Sequence, residues 1–451
     1  VCLVEMGINA NTGVKTVTVT GYSNYPRNSE SVSDLIGSVE SEDNGFYRIE
    51  TMSNYTINDP ALYGYKGVSQ FSSTANVNVT NIMKSLGLQA SAAGNRYYYN
   101  QNTAVINMFL NLKYLISHDS YSGDLTYLDP LASKDGVSIY ENNRYLPIGF
   151  AAESSISEYK GESFIQFDNQ NELFRLATGI EEDVLTRVDI KDVGHKGLNV
   201  IKSGYGNYSY QYSAPDDGSE DCYLKFNYTV PDDGPLYVTF DFGEIKNVRI
   251  KVGDSVMRTH SSGKYMDIFA AGDFNAGDVV SFQADAKDQK NGSGTIYVYQ
   301  INSDVFERGY RKLLKGALNV TKYDDTIIKG NIIAEDDCLM YTSIPYDGGW
   351  KAYVDGKETE VQSIKNAFVC VPMSAGEHTV ELRYCPPGFV VGAVISILSV
   401  ATLVLLWIFV PKVKKKRFMS GEGTAEISLR NPCTVSGRVC GPLRVHSLGL
   451  L

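Results

Sequence analysis

The run from Phe389 to Val410 constrains this chain more than any other feature: 22 consecutive residues carry no charge and follow 388 largely polar ones. A helix of that length spans the roughly 30 Å hydrocarbon core of a bilayer. Lys412, Lys414, Lys415, Lys416 and Arg417 follow it directly. Because Lys and Arg stay on the cytoplasmic side, residues before 389 are expected outside the cell and residues after 410 inside. A buried core helix would show a polar stripe or a breaker, and only Gly392 interrupts the run.

The remainder bears the marks of strands and turns. Among 451 residues there are 41 Gly and 31 Tyr, which suits short strands better than helical bundles. Residues 411 to 451 hold eight Lys/Arg against two Glu, so the total charge of −11 leaves −17 for everything before them. An acidic exterior argues against nucleic acid as a partner. Seven cysteines are too few and too odd a number for a disulfide framework. Six Asn-X-Ser/Thr sequons occur, Asn78 and Asn319 among them, and they matter only in a eukaryotic secretory pathway. The opening Val-Cys-Leu-Val-Glu-Met has neither an initiating Met nor a basic start leading into an apolar stretch. The chain is therefore expected to be a fragment whose export depends on an upstream membrane segment.

The pattern divides the chain into an N-terminal segment (1–44), a mixed α/β extracytoplasmic domain (45–204), two β-sandwich modules (205–317 and 318–388), a transmembrane helix (389–410) and a basic, unstructured cytoplasmic tail (411–451). The expected fold class is an α+β N-terminal region followed by two β-sandwich modules and one C-terminal transmembrane α-helix. In the mixed region, Phe46 to Glu50 and Tyr114 to Ser117 read as strands, and Val79 to Leu86 and Asn169 to Thr178 as helices, the second ended by Gly179. Beyond 205 the segments Leu236 to Phe242, Asn247 to Val252, Val279 to Ala284, Thr295 to Gln300, Phe368 to Met373 and Thr379 to Tyr384 read as strands. Pro231, Asp233, Gly234 and Asp241 recur 114 positions later as Pro345, Asp347, Gly348 and Asp355, and Ala276-Gly277-Asp278 is echoed by Ala375-Gly376-Glu377. This repeat predicts two copies of one sandwich module. Asp355-Gly356 is the strongest hairpin turn signal. Phe368–Met373 and Thr379–Tyr384 are read as a second hairpin, which sets Cys370 too far from Cys385 to bridge. Pro386-Pro387-Gly388 leaves no stalk, so the last sandwich is expected at the membrane surface.

No catalytic constellation is visible. There is no Gly-x-Ser-x-Gly elbow, no phosphate-cradling glycine loop and no paired metal-ligand histidine, so neither metal nor cofactor is called for. The doublets at Asp216, Asp232, Asp324 and Asp336 sit among Pro and Gly and read as turns rather than calcium ligands. Sugar binding fits the residue types better, because sugars are held by aromatic faces and planar polar groups. Asn58, Asp59, Tyr63, Tyr65 and Trp350 are the candidates, each also able to serve as an ordinary core or strand residue.

Several blocks occur in a distinctive order: Asn58-Asp59-Pro60-Ala61-Leu62, Gly67-Val68-Ser69, Asn111-Leu112-Lys113-Tyr114-Leu115-Ile116, Tyr140-Glu141-Asn142, Leu146-Pro147-Ile148-Gly149-Phe150 and Asn169-Gln170-Asn171-Glu172-Leu173-Phe174. The longest runs from Pro345 through Trp350 and Asp355 to Gly356, continuing to Gly376-Glu377-His378, Tyr384 and Pro386-Pro387-Gly388. In this the chain resembles the YfhO family of bacterial polytopic membrane proteins, from about Gly45 to Val410. The resemblance implies a GT-C-like glycosyltransferase that moves sugar from a polyprenyl-phosphate donor to an envelope polymer such as teichoic acid. It also implies a catalytic acidic residue in an early outer loop, outside the residues present here. No catalytic residue is carried over, and Asn58, Asp59, Trp350 and Asp355 transfer as family-typical positions. The competing reading is a non-catalytic, membrane-anchored sandwich protein that binds wall glycan or a partner protein. A hydrolase would need a carboxylate pair in a cleft.

Overall fold

The computed structural model describes residues 2–16, 28–118, 125–202, 209–213, 222–243, 245, 247–261, 266–286 and 291–419. They form two units, Val1–Pro386 and Pro387–Leu451. The expected fold class holds: sandwich-like sheets dominate, a few helices stand near the N-terminus, and one apolar helix ends the described chain.

In the first unit a mixed four-stranded sheet orders Arg48–Thr51, Leu112–His118, Val137–Asn142 and Leu128–Lys134, with the first pair parallel. Helix Ser29–Glu42 covers one face, burying Val32, Leu35, Ile36 and Val39 against Ile49, Tyr114, Ile116 and Ile139. Their spacing of three and four residues is what makes one helical stripe apolar.

The first sandwich pairs a sheet ordered Ile190–Lys196, Tyr223–Thr229, Val279–Asp285, Asn247–Val252 and Ser255–Ser261 with one ordered Asn199–Lys202, Ser209–Ser213, Asn291–Ile301, Gly234–Asp241 and Phe269–Phe274. Strands from Leu185 onward, ahead of residue 205, are part of it. The second sandwich pairs Asn319–Tyr323, Ile327–Ala334, Gly376–Tyr384, Trp350–Val354 and Lys357–Thr359 with Gln362–Ile364, Phe368–Met373, Cys338–Pro345 and Gly149–Glu153. That last strand comes from the N-terminal region.

Strand Cys338–Pro345 is buried on both faces. Met340 and Ile344 enter the sandwich core, whereas Leu339 and Tyr341 point the other way into the largest core. In that core they join helices Val77–Ser85, Ala104–Phe109, Gln166–Thr178 and Ser303–Lys315, together with Tyr237 and Tyr299 from the outer face of the first sandwich. Period-two alternation thus serves two cores at once.

Two wiring expectations fail. Phe368–Met373 and Gly376–Tyr384 do not form a hairpin; the first pairs with Cys338–Pro345 and Gln362–Ile364, the second with Ile327–Ala334 and Trp350–Val354. Phe368–Met373 is buried on both faces and belongs between two cores, while Gly376–Tyr384 alternates and keeps one face in water, so the chain crosses from one sheet to the other between them. The sequence repeat likewise does not repeat the topology. Val279–Asp285 pairs with Tyr223–Thr229, the strand that leads into its Pro-Asp-Gly turn, and not with Gly234–Asp241, whereas its counterpart Gly376–Tyr384 pairs with Trp350–Val354, the strand that leaves the turn, and not with Cys338–Pro345. Nor does the local bonding recur: Asp233 accepts the Ala276 N–H at 2.8 Å, whereas its counterpart Asp347 accepts the Gly349 N–H at 2.7 Å and the Ala375 N–H goes to Asp337 at 2.9 Å. The Asp355-Gly356 hairpin does form, with φ of 51° and 76° as a two-residue turn of this hand requires.

In the second unit, helix Phe389–Met419 contains one candidate membrane span, Phe389–Phe409, with none of its apolar window buried. Its 21 residues rise about 31 Å, matching a bilayer core. The tail from residue 420 lies outside the described residues.

Candidate functional site

Blocks far apart in sequence meet at a cleft of about 440 Å³ lined by Asn58, Pro60, Ala61, Gly67, Val68 and Ser69, and by Ser343, Pro345 and Phe368 from the second sandwich. Its near wall starts at strand Arg48–Thr51. Glu50 is fully buried and accepts the N–H groups of Val68 and Ser69, each at 2.8 Å, and that of Thr51 at 3.0 Å. Burial raises its carboxyl above the usual range against the pull of those donors. Glu50 thus fixes the Gly67-Val68-Ser69 segment beside the strand.

Asp59 lies beneath the cleft, fully buried, accepting the Tyr55 and Thr56 N–H groups and the Thr56 hydroxyl, all at 2.8 Å. Pro60 follows at the start of the short helix Asp59–Tyr63, where its missing N–H costs nothing. Asn58 pairs with the backbone of Phe71, accepting its N–H at 2.6 Å and donating to its carbonyl at 3.2 Å. The Asn58-Asp59-Pro60-Ala61 block is therefore a folded loop whose polar groups are largely spent on the backbone.

The floor is cationic. Arg48 Nη1 donates to the Leu110 carbonyl at 2.9 Å and to Ser343 Oγ, and Nη2 donates to the Ser343 carbonyl at 3.1 Å. Burial holds its pKa below the ordinary arginine value, and a guanidinium keeps its charge in proteins. Tyr97, from strand Arg96–Tyr98, is also part of the lining, and burial pushes its hydroxyl up to about 12, so it stays protonated. Met83, Val68 and Phe368 contribute apolar surface. None of the lining residues is a carboxylate or histidine, so the cleft is equipped to bind rather than to shuttle protons.

Of the sequence-predicted residues, the cleft gathers Asn58 and places Asp59 under it. Tyr63 is half-buried against the mixed-sheet core, and Tyr65 is buried with its hydroxyl 3.5 Å from Glu50. Trp350 lies in the second sandwich, its ring 5.0 Å from Tyr384 and its N–H 3.2 Å from the Pro345 carbonyl, which ties it to the cleft rim. Asp355 is exposed on its hairpin. Arg48, Tyr97 and Ser343 were not singled out by sequence. The one available signal was Arg48 and Glu50 alternating with Tyr47 and Ile49 in a strand, which puts two charges on one buried face. Among the described residues no group of three or more His, Cys, Asp or Glu is placed to share a metal ion, and Cys222, Cys338, Cys370 and Cys385 are free thiols.

Residues 1–396 match the family described as bacterial membrane protein YfhO. The chain belongs to the YfhO family. It is 25% identical over 421 residues to the uncharacterized protein YfhO of Bacillus subtilis (strain 168), covering 85% of this chain and 45% of that protein. This YfhO-family chain thus spans less than half the length of that curated relative. Among solved structures, a family 35 carbohydrate binding module from Clostridium thermocellum aligns with 26% of this chain and 96% of its own at 15% identity, with a TM-score of 0.18. A GH2 beta-galacturonidase from Eisenbergiella tayi aligns with 44% of this chain and 38% of its own at 11% identity, with a TM-score of 0.17. Scores at this level carry no argument about function.

Proposed function

We propose that this chain is the extracytoplasmic C-terminal part of a polytopic membrane glycosyltransferase that moves sugar from a polyprenyl-phosphate donor to a cell-envelope polymer such as teichoic acid. The supporting observation is the cleft: family-typical blocks from opposite ends of the first unit converge on one binding-type pocket without acid–base groups. In this reading the membrane part upstream holds the donor and the catalytic base, and the cleft holds the acceptor. An acceptor hydroxyl attacks the anomeric carbon, the bond from that carbon to the phosphate oxygen breaks, and polyprenyl phosphate leaves while the hydroxyl proton passes to the base. The cleft contributes by positioning. Ala61 is exposed on its rim, so Ala61→Trp in the intact protein blocks the cleft without disturbing a core. The sugar content of purified envelope polymer should fall to background while membrane insertion is unchanged; full glycosylation in that variant overturns the proposal.

A second reading, an anchored sandwich that binds wall glycan without catalysis, is favoured by one surface. On the first sandwich, Asn199, Ser213 and Asn291 form one cross-strand row and Ile201, Gln211 and Ser293 the next, all exposed and uncharged, around a depression of about 410 Å³. Amide-rich neutral surfaces suit sugar hydroxyls. Glycan binding that survives Ala61→Trp and is lost on Gln211→Ala, with no effect of either on polymer glycosylation, would select it.

A further inference from the structure

We propose that the cleft beside Arg48 binds a phosphate ester, with the Arg48 guanidinium and the Tyr97 hydroxyl donating to its oxygens. A guanidinium carries five N–H donors, and protein acceptors take up three here: the Leu110 carbonyl, Ser343 Oγ and the Ser343 carbonyl. Among the described residues no carboxylate forms an ion pair with Arg48. Glu50, two positions along the same strand, is engaged by the Thr51, Val68 and Ser69 N–H groups. A half-buried cation with neutral partners only, and spare donors, is costly to keep unless an anion joins it.

Tyr97 is a second, independent observation. Its side chain is 4% exposed, it lines the cleft, and its hydroxyl has no protein partner among the described residues. With the ring buried in the cleft wall and no protein acceptor on the hydroxyl among those residues, that O–H is available to a ligand in the cleft. The two donors come from different sheets, Arg48–Thr51 and Arg96–Tyr98. Donors converging from separate elements suit a tetrahedral oxyanion, and arginine's fork matches two of its oxygens. Met83, Phe368 and Pro345 give the organic part of the ester an apolar wall. Assigning this phosphate to the acceptor polymer or to the lipid-linked donor rests on the function proposed above; the anion site does not.

The test uses the full chain in nanodiscs of phosphatidylcholine, titrated with dimethyl phosphate and with neutral trimethyl phosphate of similar shape. The expected result is binding of dimethyl phosphate alone, weakening as salt rises. Affinity should fall tenfold or more in Arg48→Gln and several-fold in Tyr97→Phe, a change that keeps the ring's packing. If Arg48→Gln misfolds by circular dichroism, the salt dependence and Tyr97→Phe decide. No binding, equal binding of both phosphates, or wild-type affinity in Tyr97→Phe with no effect of salt overturns the inference. Tighter binding of a glycerol phosphate trimer than of geranyl phosphate places the phosphate in the acceptor, and the reverse order places it in the donor lipid. Phosphate binding with polymer glycosylation untouched by Ala61→Trp sinks the enzyme reading alone. Glycosylation lost in Ala61→Trp without phosphate binding sinks this one alone.

Discussion

Ser343 donates its hydroxyl proton to the side-chain oxygen of Asn111, 232 positions away in the chain. Asn111 is fully buried, sits at φ 60°, and donates through its amide to the carbonyls of Leu146 and Pro147. One side chain therefore joins three segments and fixes Ser343, which in turn holds Arg48.

Replacing Asn111 by Ala should destabilise the folded unit by about 3 kcal/mol, combining a left-handed backbone penalty with orphaned buried carbonyls. Asn111→Gly restores the backbone freedom but not the hydrogen bonds, and should recover about 1 kcal/mol. Urea unfolding of the full chain in detergent micelles, followed by near-UV circular dichroism, measures both; equal stability of the two variants would remove the backbone component.

His378 and Asp355 form a pH-dependent clasp. The imidazole Nδ1 lies 2.7 Å from the Asp355 carboxylate, and Nε2 lies 3.0 Å from the Ser374 carbonyl. Both nitrogens face acceptors, an arrangement only the imidazolium satisfies. The bond to Asp355 raises His378 above 6.5 and the same bond holds Asp355 below 3.8. The histidine contribution is complete below about pH 6.5 and fades as pH rises through its raised value. The aspartate contribution is present above about pH 3.8 and is lost as pH falls through its lowered value. His378→Gln should therefore lower the melting temperature most between about pH 4 and 6.5, with the gap closing toward pH 9. A gap independent of pH would contradict the charged pair.

Gly348 and Gly349 are adjacent but unequal. A Cβ on Gly349 would overlap the Cys385 carbonyl oxygen, because the two backbones are joined by a 3.1 Å hydrogen bond from Cys385 N to Gly349 O. A Cβ on Gly348 would meet nothing within 4 Å. Gly349→Ala should cost about 1–3 kcal/mol and Gly348→Ala close to nothing in the same unfolding measurement. Similar losses at both positions would mean the turn, not the close approach, sets the requirement.

How much of this was legible depends on how many sides of an element are wet. Gly376–Tyr384 alternates because one face meets water, and it was placed as a strand from sequence. Cys338–Pro345 has no wet face, so nothing in its residues tells which core each one enters. Helix Ser303–Lys315 was readable and overlooked: Asn302 caps it by accepting the Val305 N–H, and Val305, Phe306, Gly309 and Leu313 keep helical spacing. Strand-rich surroundings on either side concealed it. At the cleft, Asn58 announces itself as part of a turn-like block. The role of Arg48 depends on Ser343, 295 positions on, and no local pattern encodes a contact over that distance.

The strand Gly149–Glu153 has a consequence in time. Its ladder partner, Cys338–Pro345, leaves the ribosome 185 residues later. At about 5–20 residues per second, the earlier strand waits on the order of ten to forty seconds with that edge unsatisfied. The second sandwich therefore closes only after Cys338–Pro345 has been made, and a pause or truncation anywhere between residues 154 and 337 leaves an open strand edge that invites pairing with other chains.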